Sequence, residues 1–132
     1  MTSPTQRTLA HLKELGYAAE VVERWNQYAR VRQDLFGYID VVALGDTILA
    51  VQATSTGVSS RVNKILELDK ENGVVRRWLE AGGEVEVWGW AKRRSKAKNA
   101  DGTRTKRMET RLRRVRVLLD DNVVPTRLYT AE

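Results

Sequence analysis

Cysteine is absent from this chain, and histidine occurs once, at His11. Without thiols there are no disulfides and no thiolate nucleophile, and a reducing compartment poses no difficulty. A single histidine cannot build a histidine-cluster metal site. Any metal would have to be held by oxygen, which favours magnesium, manganese or calcium over zinc. Also missing are a secretory apolar region and any apolar run of membrane-spanning length. The expectation is a cytosolic protein. What is present suits one soluble domain over residues 1–132, with 42% hydrophobic and 30% charged residues and enough length to bury a core.

Positive charge is the one excess, and it is local. Residues 92–116 hold twelve Lys or Arg against Asp101 and Glu109, a surplus of ten within a net charge of +6, so the remainder sums to −4. A concentrated surplus suggests a surface for a polyanion, although a solvated charged hairpin has the same composition.

Along the chain, Ser3-Pro4-Thr5 reads as a helix start, with Leu9, Leu12 and Leu15 apolar and Gly16 as the stop. Residues 17–25 read as a strand and 26–33 as a polar loop or a single helical turn. Strands are predicted at 36–44 and 47–54 around a Gly45-Asp46 turn. Val62, Ile65, Leu66 and Leu68 mark a helix from Ser60, and 74–81 forms a second helix ending at Gly82-Gly83. A strand at 84–90 follows, then a mobile hairpin loop at 93–107 and a return strand at 110–119. The tail past Asp120 is expected to be loosely held. The order α-β-β-β-α-α-β-β points to an α/β or α+β domain.

Chemistry concentrates in residues 32–55. Asp40 precedes the apolar run Val41-Val42-Ala43-Leu44, and Gln52 follows Ile48-Leu49-Ala50-Val51. A carboxylate beside a buried strand is costly without a partner. Two readings are open: a strand-end surface acid or a functional group. Across a hairpin Asp40 approaches Gln52 and Thr54, which share a strand face. Asp34 and Glu23 can join them. Clustered carboxylates repel, and a divalent cation reconciles them and can activate water toward a phosphodiester.

These residues resemble the PD-(D/E)XK nuclease superfamily, and within it the small Holliday-junction-resolvase-like proteins of phages and archaea. The resemblance lies in Gly37-Tyr38-Ile39-Asp40-Val41-Val42-Ala43 and Val51-Gln52-Ala53-Thr54-Ser55. It extends to Glu23-Arg24-Trp25, Arg32-Gln33-Asp34-Leu35-Phe36, Ser60-Arg61, Lys64 and Val87-Trp88-Gly89-Trp90. It implies an α/β fold with a restriction-endonuclease-like core, a mixed four- to five-stranded sheet flanked by helices. It also implies a DNA endonuclease dependent on Mg2+ or Mn2+, acting on branched or double-stranded DNA as a homodimer in a bacterial, archaeal or phage-infected cell. In that family an Asp on the second core strand and a Glu-x-Lys on the third hold the metal and position the water. The Asp maps to Asp40, with Gln52 and Asp34 as further metal ligands.

Two positions depart from the pattern. Gln52 stands at the Glu position and Thr54 at the Lys position, so the missing cation would come from Lys64 or Arg61 on the following helix, and Asp34 or Glu23 would restore the carboxylate. Each has a plainer reading: Glu23 a strand-end surface acid, Arg61 and Lys64 a solvent face, and Arg32 a turn lock on Asp34 instead of a phosphate contact. Lys92, Arg93, Arg94, Lys96, Lys98, Arg104, Lys106 and Arg107 would track DNA phosphates without reading sequence. The competing functions are a nuclease fold that binds nucleic acid after losing its chemistry and, more distantly, an assembly subunit whose basic hairpin meets an acidic protein.

Overall fold

The computed structural model describes residues 2–120 and the backbone of 125–129. Ser3 opens the first helix, α1 (Pro4–Glu14), its hydroxyl accepting the Gln6 N–H at 3.1 Å while Pro4 supplies a preset first turn. The strands are β1 (Ala18–Val21), β2 (Arg24–Asn26), β3 (Val31–Gln33), β4 (Val41–Leu44) and β5 (Ile48–Thr54). Helices α2 (Val58–Asn72) and α3 (Val74–Glu80) follow, then β6 (Glu84–Arg94), β7 (Met108–Leu119) and β8 (Pro125–Tyr129). Strands β1, β4, β5, β6 and β7 lie side by side, and β8 adds a sixth at the β7 edge. Among the described strands only β5 and β6 pair in parallel, joined by the crossover through α2 and α3. The architecture is α/β with a mixed sheet.

Strand parity divides the core. Ala50, Val85, Val87, Val115 and Val117 face α2 and α3, meeting Val62, Ile65 and Val75. Val41, Ala43, Leu49, Val51 and Trp88 face α1 and meet Leu12. Trp88 and Trp90 share strand parity: both lie on the α1 side, opposite the neighbouring valines, with the Trp90 Nε1–H donating to Thr8 Oγ1 at 2.8 Å. Gly89 occupies the other face beneath the start of α2. A Cβ there would meet Val58 Cγ2 at 2.3 Å, so the helix reaches the sheet only because that side chain is absent. Gly89→Ala is expected to lower stability by about 1–3 kcal/mol in urea denaturation, the usual cost of overpacking.

Several boundaries differ from the sequence reading. The strand expected at 17–25 breaks after Val21, and its second half pairs with β3 inside the supposed polar loop. The strand expected from Phe36 begins at Val41, because Phe36 and Gly37 turn back with φ of 55° and 84°. The loop at 93–107 is a hydrogen-bonded hairpin that lengthens β6 and β7, with its turn at Asp101-Gly102. Tail residues 125–129 pair with β7 instead of hanging loose, and 121–124 and 130–132 lie outside the described residues. Among the described residues, no helix is long and apolar enough to cross a membrane.

Candidate metal centre and nucleic-acid face

Three short antiparallel pairings carry the acids to one place. The β2–β3 ladder ends at Arg24 opposite Gln33, which puts Glu23 and Asp34 across from one another one step on. A single bridge pairs Leu35 with Ile39, which does the same for Asp34 and Asp40. The β4–β5 ladder pairs Val41 with Val51, so Asp40 faces Gln52. Opposed positions on antiparallel chains bring side chains within contact distance. Glu23, Asp34 and Asp40 each offer a carboxylate oxygen, and these oxygens all lie within 4.8 Å of one another.

Each acid is held in place. The Ala53 N–H donates to Asp40 Oδ2 at 2.9 Å, the Gln52 Nε2–H donates to Asp34 Oδ2 at 3.2 Å, and Arg32 Nη1 reaches Glu23 Oε1 at 3.1 Å. Arg32 therefore pairs with Glu23 and not with Asp34, the partner its sequence neighbourhood suggested. The Thr54 hydroxyl donates to the Thr56 carbonyl. Lys64 is exposed on α2, Arg61 is half-buried, and among the described residues neither makes a hydrogen bond or ion pair with the carboxylates.

Electrostatics follow from this crowding. Asp40 is only 5% exposed. Burial raises its carboxyl, and a hydrogen bond donated by the protonated Asp40 to Asp34, with the charges of Asp34 and Glu23, raises it further, to about 8, against the opposing pull of the Ala53 N–H. At neutral pH the cluster therefore retains a proton between acids that repel when ionised. A hard divalent cation fits the donor set, which is all carboxylate oxygen, and could take the place of that proton.

The basic residues fall into distinct groups. Arg94 and Arg104 donate to carbonyls across the hairpin, Arg94 to Thr105 and Arg104 to Ser95, so they brace its two arms. Lys96, Lys98, Lys106 and Arg107 stand exposed along it. Lys92 lies on the α1 side beside Pro4, Arg7 and Trp90. Arg93 faces the α2 side and lines a recess of about 140 Å³ with Arg111, Arg113, Gly57 and Gly89. Gly89 lies between Thr54 on β5 and Arg113 on β7, so this recess opens on the sheet face that Asp40 and Gln52 share, two to three strands across from Asp40 and one same-face position beyond Gln52.

Arg111 and Arg113 were not singled out from sequence. Their shared parity with Val115 and Val117, which face α2, is the signal that could have found them. Arg114 and Arg116 belong to the opposite face. There they hold fully buried Glu86 by hydrogen bonds of 2.8–3.1 Å, with Trp88 Nε1–H donating to the same carboxylate at 2.9 Å. The Arg114 guanidinium also covers the Trp88 ring at 4.8 Å. Part of the basic surplus is thus spent inside the fold. No family model, curated protein or solved structure matches this chain.

Proposed function

We propose that the protein is a divalent-cation-dependent DNA endonuclease with a restriction-endonuclease-like core, acting as a homodimer on branched or double-stranded DNA. The observation that carries this reading is the convergence of Glu23, Asp34 and Asp40 within 4.8 Å at the end of a paired-strand element. The mixed sheet flanked by helices, antiparallel from β1 through β4 to β5 and parallel between β5 and β6, is consistent with the mixed core the resemblance implies.

Glu23, Asp34 and Asp40 would hold Mg2+ or Mn2+, and such a cation supplies Lewis-acid stabilisation to a phosphodiester under attack. The chain's own groups set up the rest. The Ala53 N–H fixes the Asp40 carboxylate, the Gln52 amide aims Asp34, and Arg32 holds Glu23. Arg93, Arg111 and Arg113 would seat a phosphate of the DNA on the same face, and the exposed lysines of the hairpin extend that track.

A second reading has its own support: the protein binds nucleic acid in this way but has lost cleavage. Thr54 stands where a lysine is expected, its hydroxyl is taken up by Thr56, and among the described residues neither Lys64 nor Arg61 makes an ion pair with the acids. Incubation with branched and linear DNA plus Mg2+ or Mn2+ separates the two. Cleavage that disappears in Asp40→Ala supports the endonuclease; binding with no cleavage supports the second reading. In either case Arg111→Ala/Arg113→Ala is expected to weaken duplex binding about tenfold and to reduce the slope of log affinity against log salt by about 2, measured by fluorescence anisotropy.

A further inference from the structure

The β2–β3 hairpin is set apart from the rest of the molecule. Among the described residues it forms a separate two-stranded sheet and pairs with no strand of the larger one. Such a pair is marginal alone in water, yet it displays large apolar groups. Tyr28 at its tip is fully exposed, and Trp25 is 57% exposed. A defined turn presents the tip: Asn26 Oδ1 accepts the N–H groups of Tyr28 and Ala29 at 3.0 Å each, and Arg30 closes the turn with φ of 55°.

The charge on this arm narrows the choice of partner. Between Glu23 and Asp34 the hairpin holds Arg24, Arg30 and Arg32 and no acid. A second copy of the same arm would bring like charges together, whereas a polyanion is complementary. Exposed aromatic faces interleaved with guanidinium groups suit an unpaired nucleic-acid strand, whose bases stack on the rings while its phosphates meet the cations. In an intact duplex those base faces are covered by neighbouring bases. The arm also adjoins the carboxylates. Its two strands run directly into Glu23 and Asp34, and a cleft of about 750 Å³ at its foot is lined by Arg24, Arg32, Asp34 and Phe36.

We infer that the 24–33 hairpin is an arm that binds unpaired nucleotides by stacking on Trp25 and Tyr28, and that it directs the carboxylate cluster to single-stranded or branch-point DNA. This deepens the endonuclease reading and rests on it for the claim that what the arm holds is cut.

The test is binding in EDTA, where no divalent-cation-dependent cleavage proceeds, using a labelled oligothymidylate and a blunt duplex of equal length. Trp25→Ala/Tyr28→Ala should lose about tenfold or more in affinity for the oligothymidylate and less than about twofold for the duplex, with melting temperature unchanged. Trp25→Phe/Tyr28→Phe should restore most of the loss. An unchanged oligothymidylate affinity, or an equal loss for both DNAs, overturns the inference. So does a dimer-to-monomer shift of the alanine variant in sedimentation, which would make the arm an interface between copies. A wild-type protein that binds oligothymidylate through the arm but cuts nothing with Mg2+ or Mn2+ leaves the arm standing and defeats the endonuclease reading.

Discussion

Asp40→Asn is expected to melt at a higher temperature than the wild-type protein at pH 8 in the absence of divalent cations. The Asp40 carboxyl is raised from 3.8 to about 8 by burial and by its acidic neighbours. At low pH folded and unfolded chains both carry its proton. As pH rises past 4 the unfolded chain releases that proton while the folded chain keeps it, so stability falls, and the loss is complete above pH 8. Asparagine escapes this loss because it never ionises. It also preserves the contacts: its oxygen can accept from the Ala53 N–H, and its amide can donate to Asp34.

The gain at pH 8 should be a few kcal/mol, or about 5–10 °C in melting temperature, shrinking toward zero near pH 4. Adding Mn2+ should reverse the order. The wild-type protein gains stability as the cation takes up the acids' mutual repulsion, and the variant gains much less. Thermal melts across pH 4–9 with and without Mn2+ check both parts.

Glu86 is expected to show the largest purely structural effect. Its carboxylate is fully buried beneath Arg114 and Arg116 and accepts from Trp88. Burial pushes the carboxyl up, but the hydrogen bonds from Arg114, Arg116 and Trp88 outweigh it and hold the group below its usual range. Glu86→Ala removes the shared acceptor and leaves two guanidinium groups facing a cavity. Loss of one partner from a buried ion pair costs about 3–5 kcal/mol, read by urea denaturation at pH 7.

The sign with pH is opposite to that of Asp40. Stability from a depressed carboxyl is present above the unfolded value near 4.5 and is lost as pH falls through the lower folded value. Wild type and Glu86→Gln should therefore converge on acidification. Because this network lies on the α1 face, duplex affinity through Arg111 and Arg113 should persist in Glu86→Gln.

Asp40 was conspicuous in the sequence because a carboxylate directly before Val-Val-Ala-Leu cannot be buried cheaply, and the β4–β5 pairing needed only the Gly45-Asp46 turn. The helices were legible from their apolar spacing. The route that brings Glu23 and Asp34 to Asp40 was not. It depends on a two-residue reversal at Phe36 and Gly37, with a non-glycine residue in the left-handed region, and on pairing between β2 and β3, whose sequences Arg-Trp-Asn and Val-Arg-Gln have no alternation to detect. Charge counting also hid a division within β7. Arg111 and Arg113 turn to the candidate site while Arg114 and Arg116 turn to Glu86, a difference decided by strand parity and by a partner 28–30 residues away.

Calorimetric titration of Mn2+ into the wild-type protein at pH 7 tests the central claim most directly. If Glu23, Asp34 and Asp40 hold a cation, saturable binding will appear, with a heat that varies with the buffer because the proton on the acids is released. Asp40→Asn will lose that buffer dependence and most of the affinity. Absence of saturable binding, or binding unchanged in Asp40→Asn, would contradict the account.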